Sequence, residues 1–361
     1  MKKHKKYFSI PIILFLILLV LTLAWNLLSI RPVPEKVNYG VSFSVFHSNE
    51  LNLDWKKTYL AILDDLKVRN LRLTAHWPLT EPADGKYDFS ELDFQINEAD
   101  KRGATYILAV GRRLPGWPEC HVPDWVMNQE SQITNQGEKT DFENQKLLEY
   151  IQTTVERYKN SPGLKYWQVE NEPFLGFFGR SSCQLTDENF FKQEIALVHK
   201  LDPTHPVLAT DSGEFGYWYQ AYRDGDVFGT SLYLYVWWRA LGIGPLRYPI
   251  GPSFFRVKQN VVDFIGCVLG DSPSHSIFEC EGKPTILIEL EAEPWLLTPI
   301  VDAPMATLLD RMGIDKFETM IQTAKEAGFG DQYLWGAEWW YWMEQNGHPE
   351  FWQAAKQLFN Q

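Results

Sequence analysis

The sequence predicts an α/β chain that closes into a (β/α)8 barrel, preceded by an N-terminal transmembrane helix. Three observations predict it. Eight short apolar or β-branched stretches alternate with helical ones. Once the first thirty residues or so are set aside, about 330 remain, the usual size of one such barrel. No glycine-rich phosphate loop follows an early strand, as an open doubly wound sheet would present; Gly111-Arg112-Arg113 does not fit that pattern.

The expected strands run Tyr39 to Ser44, Leu71 to Thr74, Thr105 to Val110 and Leu164 to Val169. They continue with Val207 to Ala209, Val227 to Ser231, Thr285 to Ile288 and Tyr333 to Gly336. Apolar residues at spacings of three and four predict helices between them. These are Trp55 to Leu66, Leu92 to Lys101, Asn144 to Tyr158, Glu188 to His199, Phe254 to Leu269, Phe317 to Ala327 and Phe351 to Leu358. Gly103, Gly328 and the Asn160-Ser161-Pro162-Gly163 turn stop helices before the next strand.

The N-terminus reads as a separate unit. Lys2, Lys3, Lys5 and Lys6 precede an uncharged apolar run from Ile10 to Leu28. At roughly 19 residues the run is long enough to span a bilayer. The basic flank sets its N-terminus inside. Thr22-Leu23-Ala24-Trp25-Asn26 is a poor cleavage site, so an uncleaved signal-anchor is expected ahead of a cleaved and secreted form. The expected division is residues 1–30 as cytoplasmic tail and anchor, 31–37 as a proline-containing linker, and 38–361 as an extracytoplasmic barrel domain.

A formal net charge of -12 argues against nucleic acid or anionic lipid as the partner of the barrel surface. Four cysteines without a CxxC pair suit an oxidising compartment and argue against a zinc site. Pairing Cys267 with Cys280 and Cys120 with Cys183 is one of the three connectivities four cysteines allow. Tryptophans are abundant, 15 in all. Trp77, Trp117, Trp125, Trp237, Trp238, Trp295, Trp339, Trp340 and Trp342 cluster near expected strand ends. Core packing seldom needs so many indoles, whose N–H groups require partners, whereas sugar rings stack well on them.

Chemistry in such a barrel sits at the carboxyl ends of the strands. The fourth strand ends in Glu170-Asn171-Glu172-Pro173 and the seventh runs into Glu289-Leu290-Glu291-Ala292-Glu293. Strands four and seven lie on opposite sides of the barrel, so their acids face each other. Two facing carboxylates are the minimal equipment for glycoside hydrolysis, one as acid/base and one as nucleophile. Alternation does not choose among Glu289, Glu291 and Glu293, which share one parity. Depth favours Glu289, with Glu293 second, because Glu293 lies roughly 13 Å further along an extended chain. Parity likewise leaves Glu170 and Glu172 open. Asp211 and Glu214 follow strand five, where they line the cleft or cap the next helix. His47 follows strand one.

The order of these features resembles clan A of the glycoside hydrolases, retaining enzymes on this TIM barrel. Asn171-Glu172-Pro173 matches the clan's motif after strand four, and Lys283 to Glu289 matches the layout before its nucleophile. The resemblance implies Glu172 as acid/base, Glu289 as nucleophile and Asn171 on the sugar 2-hydroxyl. It implies Arg72 beside the nucleophile, a Tyr near strand six and a Trp near strand eight. Tyr233 and Trp339 are the counterparts, with Tyr235 and Trp340 as alternatives. His76 and Trp77 complete the expected sugar-binding set. Glu81-Pro82, Gly85 to Phe89 and Leu92-Asp93 are similar to branches of the clan that include β-galactosidases and β-xylosidases. A departure is Leu290-Glu291 where a Gly or aromatic often follows the nucleophile. The function implied is retaining hydrolysis of a β-linked oligo- or polysaccharide without metal or cofactor. The alternatives are an inactive carbohydrate-binding barrel and a transglycosylase using the same covalent intermediate.

Overall fold

The computed structural model describes residues 9–116, 119–176, 186–238, 243–273 and 281–360, without the side chains of 9–12, 237, 238 and 243–245. Eight parallel strands close into a barrel: β1 (Asn38–Ser42), β2 (Asn70–Thr74), β3 (Thr105–Val110), β4 (Leu164–Val169), β5 (Val207–Asp211), β6 (Val227–Leu232), β9 (Thr285–Glu291) and β10 (Asp331–Trp335). All eight fall where the sequence places them, and β1 pairs with both β2 and β10 to complete the ring. β7 (Tyr235–Trp238) and β8 (Ile243–Arg247) form a small antiparallel pair outside the ring. Sequence reading did not foresee that pair, although Tyr235-Val236-Trp237-Trp238 is a β-favouring run.

Strand alternation sorts the side chains into two layers. Ile107, Leu208, Val227, Ile286, Ile288 and Tyr333 form a small cluster supplied only by strands, which is the barrel interior. Their neighbours Leu71, Leu73, Tyr106, Leu108, Trp167, Val169 and Leu287 join the larger cluster between barrel and helices. A buried aliphatic side chain of this kind contributes about 1.5 to 3 kcal/mol. The surrounding helices begin and end on ordinary signals. Asp54 accepts from the Lys57 amide at the start of the helix Trp55–Asp64, and Asp187 caps the helix Glu188–Leu201 the same way. Pro252 opens the helix Pro252–Leu269, and left-handed Gly270 closes it.

Most of the tryptophans serve this core, contrary to the sugar-platform expectation. Trp77, Trp167, Trp218, Trp339, Trp340 and Trp352 are among the largest fully buried side chains. Their indoles are mostly partnered: Trp77 with Glu81, Trp167 with Asp202, Trp218 with the Ser212 carbonyl, Trp340 with the Ala292 carbonyl and Trp352 with Asp65. Trp117, and the side chains of Trp237 and Trp238, lie outside the described residues.

The N-terminal helix α1 (Ser9–Leu28) carries no acidic or basic residue at either end, and from Ile13 its apolar side chains stand largely exposed. Among the described residues no helix is long and apolar enough to cross a membrane. The linker beyond it is tied down: Asn260 Nδ2 donates to the Leu28 and Ile30 carbonyls, and Arg31 pairs with Asp263 at 3.1 Å.

One acid of the outer layer yields a stability test. Burial raises the Asp202 carboxyl, but hydrogen bonds from Thr204, Trp167 and His205 outweigh it and hold it at about 2. A depressed carboxyl contributes stability above its unfolded value of about 3.9, here about 2 to 3 kcal/mol, lost as pH falls toward 2. Urea unfolding from pH 5 to pH 2 is expected to show a shallower loss of stability in Asp202→Asn than in the parent. Equal slopes would show that this carboxylate is not held as described.

Candidate active site

The strand-four motif is delivered by strained backbone. Glu170 and Glu172 adopt φ values of +57° and +47°, which non-glycine residues occupy only when their surroundings impose it. Glu170 is fully buried, and its two oxygens accept from the Arg112 and Arg113 amides at 3.0 and 2.6 Å. Gly111, at φ +133°, leaves room for this: a Cβ there would stand 2.8 Å from the Glu170 carboxylate. Glu170 is therefore consumed in holding the loop after β3. Glu172 instead lines the cavity, with Ser231 Oγ donating to it at 2.8 Å and its own amide donating to Thr210 Oγ1 at 2.9 Å.

On β9 a bulge directs the second acid. Ile286 and Ile288 belong to the barrel interior, so regular alternation would turn Glu289 outward. The pairing shifts here: Thr230 faces Leu287 but Ser231 faces Glu289, and Gln332 faces Leu287 but Leu334 faces Leu290. β9 thus carries one extra residue relative to both neighbours. Such bulges re-aim side chains beside active sites. Glu289 turns inward, Leu290 returns to the outer layer, and Glu291 is again buried near the mouth.

Arg72 joins the two strands. It lies between Leu71 and Leu73 of the outer layer, so it faces inward, and it is fully buried. Its Nε donates to Gln168 at 2.8 Å, one terminal nitrogen to Asn171 Oδ1 at 2.7 Å and the other to Glu289 Oε2 at 2.7 Å. Tyr233 Oη donates to the other Glu289 oxygen at 2.7 Å. Burial and the facing Glu289 charge push the Tyr233 hydroxyl well above its usual range, so it stays a donor.

Glu172, Tyr233 and Glu289 open on one shared cavity. Four acids line it: Glu119, Glu172, Glu214 and Glu289. Phe215, Tyr233, Tyr248 and Trp295 supply aromatic faces, Trp295 standing edge-on to Tyr233 with ring centres 5.3 Å apart. Burial, then the Glu289 and Glu119 charges, raise Glu172 well above the ordinary carboxylate range, against the pull of Ser231. Burial lifts Glu119 to about 7, with Arg113 opposing and Glu289 adding. Burial also lifts Glu214 to about 7 despite the Tyr233 amide that donates to it. The site therefore holds protons at neutral pH that solvent-exposed carboxyls would have lost.

Of the residues expected at the site, Glu172, Glu289, Arg72, Asn171 and Tyr233 come together. His76, Trp77 and Trp339 do not. His76 packs edge-on to Phe46 and beside His121, and it borders a separate small cavity with Thr74, Leu79 and Thr80. Trp77 is buried against Tyr150, and Trp339 is buried against Phe351. Both fall in helices that follow a strand, where the next turn carries the side chain into the outer layer. The tryptophan that ends strand eight is Trp335, whose indole donates to Glu293 at 2.8 Å. Of the alternatives, Trp340 is likewise buried, and Tyr235 offers its amide to Glu291. Glu293 also meets His47 Nε2 at 2.7 Å, which ties the helix Val45–Glu50 after β1 to the loop after β9. Asp211 holds the next turn by accepting from the Ser212 and Trp218 amides, while Glu214 reaches the cavity.

Sequence reading missed Glu119. No local pattern marks it: it sits in an irregular loop at φ +65°, shaped by bonds between Leu114 and Glu119 and between Glu119 and Gly116. Its neighbour Cys120 is disulfide-bonded, as is Cys267. The expected partners, Cys183 and Cys280, lie outside the described residues.

Comparison with known proteins bears on this geometry. Residues 51–202 match the β-galactosidase family model of glycoside hydrolase family 42. A β-galactosidase of Clostridium perfringens is 29% identical over 122 residues, 32% of this chain and 17% of that protein. A mannan endo-1,4-β-mannosidase of Emericella nidulans is 27% identical over 154 residues, 41% of this chain and 37% of that protein. The chain thus spans well under half the length of either relative. Among solved structures, the GH5_18 protein of Bifidobacterium longum subsp. longum superposes with a TM-score of 0.55 at 13% identity, covering 83% of this chain and 70% of that one. The closed barrel and the solved neighbour agree on a TIM-barrel fold, and within it residues 51–202 are similar to glycoside hydrolases.

The Glu289 charge raises Glu172, so removing it lowers Glu172. In Glu289→Gln the Glu172 carboxyl is expected to titrate at lower pH than in the parent, read by 13C NMR of labelled glutamate. An unchanged midpoint would show that the two acids do not sense each other.

Proposed function

We propose that the protein hydrolyses a neutral β-linked glycoside with net retention, with Glu172 as acid/base and Glu289 as nucleophile. The observation that carries this reading is the contrast between the two acids. Glu289 accepts from Arg72 and Tyr233, which aim its oxygens. Glu172 has its proton affinity raised by burial and by Glu289 itself. That is the division of roles that double displacement needs. In the first step a Glu289 oxygen bonds to the anomeric carbon, the glycosidic C–O bond breaks, and the Glu172 proton passes to the leaving oxygen. In the second, water attacks the anomeric carbon, gives its proton to Glu172, and the bond to Glu289 breaks. Asn171, oriented by Arg72, faces the sugar 2-hydroxyl in this reading. The four cavity acids disfavour uronic or sialic acids. The named relatives put β-galactosides and β-mannosides first among substrates to try.

The parent protein is expected to hydrolyse one member of a panel of aryl β-glycosides and β-linked oligosaccharides, with the β anomer released first in proton NMR. Glu172→Gln and Glu289→Gln are each expected to lower kcat/KM about a hundredfold to ten-thousandfold. Release of the α anomer would overturn the double displacement. A parent that binds a glycan in the cavity without cleaving it would replace the hydrolase with a carbohydrate-binding barrel.

We also propose that residues 1–30 anchor the protein in a membrane, with 31–37 as linker and 38–361 as an extracytoplasmic catalytic domain. The uncharged apolar helix α1 and its basic flank support this. So does the outer face of the helix Pro252–Leu269, where Val261, Phe264, Val268 and Leu269 stand exposed beside the linker that this helix holds. In cells, the full chain is expected to resist extraction by alkaline carbonate and to be digested by protease added outside. Release by carbonate would refute the anchor.

A further inference from the structure

Three acids at intervals of two, Glu289, Glu291 and Glu293, close the nucleophile strand, and the structure gives each a different partner set. Glu289 meets Arg72 and Tyr233. Glu293 meets His47 and Trp335. Among the described residues Glu291 does not line the cavity and forms no ion pair. It is buried at 1% exposure, and its Oε2 accepts from two consecutive backbone amides, Leu234 at 2.8 Å and Tyr235 at 2.9 Å. Among the described residues its Oε1 is buried without a hydrogen-bond partner. Those amides directly follow Tyr233, whose own amide donates to Glu214 at 2.6 Å. Three successive amides leading into β7 are thus bonded to two carboxylates, immediately around the residue whose hydroxyl aims the nucleophile.

A buried carboxyl left with one oxygen unsatisfied is costly, and an apolar residue would fill the space more cheaply. Burial lifts Glu291 to about 8 and Glu214 to about 7, in each case against the amides that donate to them. The cost is understandable if the bonds set the position of Tyr233. The loop leaves β6 toward the β7–β8 pair, where the Leu234 carbonyl accepts from the Tyr248 amide at 2.8 Å while the amides of 233 and 234 turn to the carboxylates. Without the carboxylates its amides would have to find other acceptors in a buried place.

We propose that Glu291 is a positioning residue for the hydrolysis, acting through the backbone of Leu234 and Tyr235 to hold the Tyr233 hydroxyl on Glu289, with Glu214 bracing the same turn from the other side. This rests on the assignment of Glu289 as nucleophile. It also gives the acidic run after the bulge a use beyond its first member. Glu291 is bonded to the strand-six loop and Glu293 to the strand-one and strand-eight ends, so the strand that carries the nucleophile also sets the loops on both sides of it.

The test is a double-mutant comparison in the full chain, with hydrolysis of the best substrate as readout. Tyr233→Phe removes the hydroxyl, and Glu291→Ala removes the clamp. A displaced Tyr233 is expected to cost up to about a hundredfold in kcat/KM. Both single variants are expected to shift the acid limb of the pH profile in the same direction. The double variant is expected to be no worse than Tyr233→Phe alone, because the clamp acts through the hydroxyl. Glu291→Gln, which keeps an acceptor oxygen, is expected to recover most of the activity and serves if Glu291→Ala does not fold. Losses that multiply in the double variant, or a fall in Tm with an unmoved acid limb, would overturn the proposal. If Glu289→Gln or Tyr233→Phe leaves hydrolysis at the parent level, the site assignment itself fails. If Glu289→Gln abolishes activity while Glu291→Ala matches the parent, only the clamp fails.

Discussion

The buried guanidinium of Arg72 is the constraint around which the rest of the site is arranged. A fully buried cation without partners would cost several kcal/mol in lost hydration, so it persists only where acceptors surround it. Gln168 of β4, Asn171 just beyond it and Glu289 of β9 provide them. The fork of an arginine has a fixed shape, so satisfying it also sets the relative position of strands on opposite sides of the barrel. Gln168 passes the constraint on by donating to the Glu170 carbonyl, and Glu170 in turn holds the loop after β3. The unusual φ values at Glu170 and Glu172 sit inside this net, which is what keeps them there.

The mouth of the barrel is crowded with carboxyls, and their chemistry is sorted by what each one touches. Glu289 accepts from an arginine and a phenol. Glu170 is capped by two amides, and Glu291 by two more. Among the described residues Glu172 and Glu119 have one polar side-chain partner apiece, Ser231 and a distant Arg113 nitrogen at 3.4 Å. Burial without full compensation is what raises these last two, and it leaves them as the acids best placed to hold a proton beside an ionised neighbour.

Much of this was legible in the sequence, and the gaps have physical reasons. The eight strands were readable because each is a short apolar run between turn residues, and the acid pair because both acids follow such runs. Parity failed at β9: it treats a strand as regular, and the bulge at Ile288 and Glu289 leaves no mark in residue type. The aromatic surplus misled for a related reason. Trp77 and Trp339 lie just past strand ends, but each starts or joins a helix, and helical geometry turns it into the outer layer. Glu119 was unreadable, since its place depends on a loop fold that only tertiary bonds and the Cys120 disulfide define. Glu170 and Glu172 were separable only by their partners, which no spacing rule encodes.

The extra residue in β9 has a consequence for how this barrel tolerates change. Everything beyond it, from Glu289 through Glu293, is in phase with the mouth only because the strand is one residue out of step with β6 and β10. Deleting a residue there would rotate nucleophile, clamp and rim contact together, so no compensation at one of them would rescue the others. Loops around the cleft are free to lengthen and diverge, and substrate preference can drift with them. The residue count of this strand is not free. It behaves as a reading frame for the mouth, indifferent to much of the local sequence and intolerant of a shift by one.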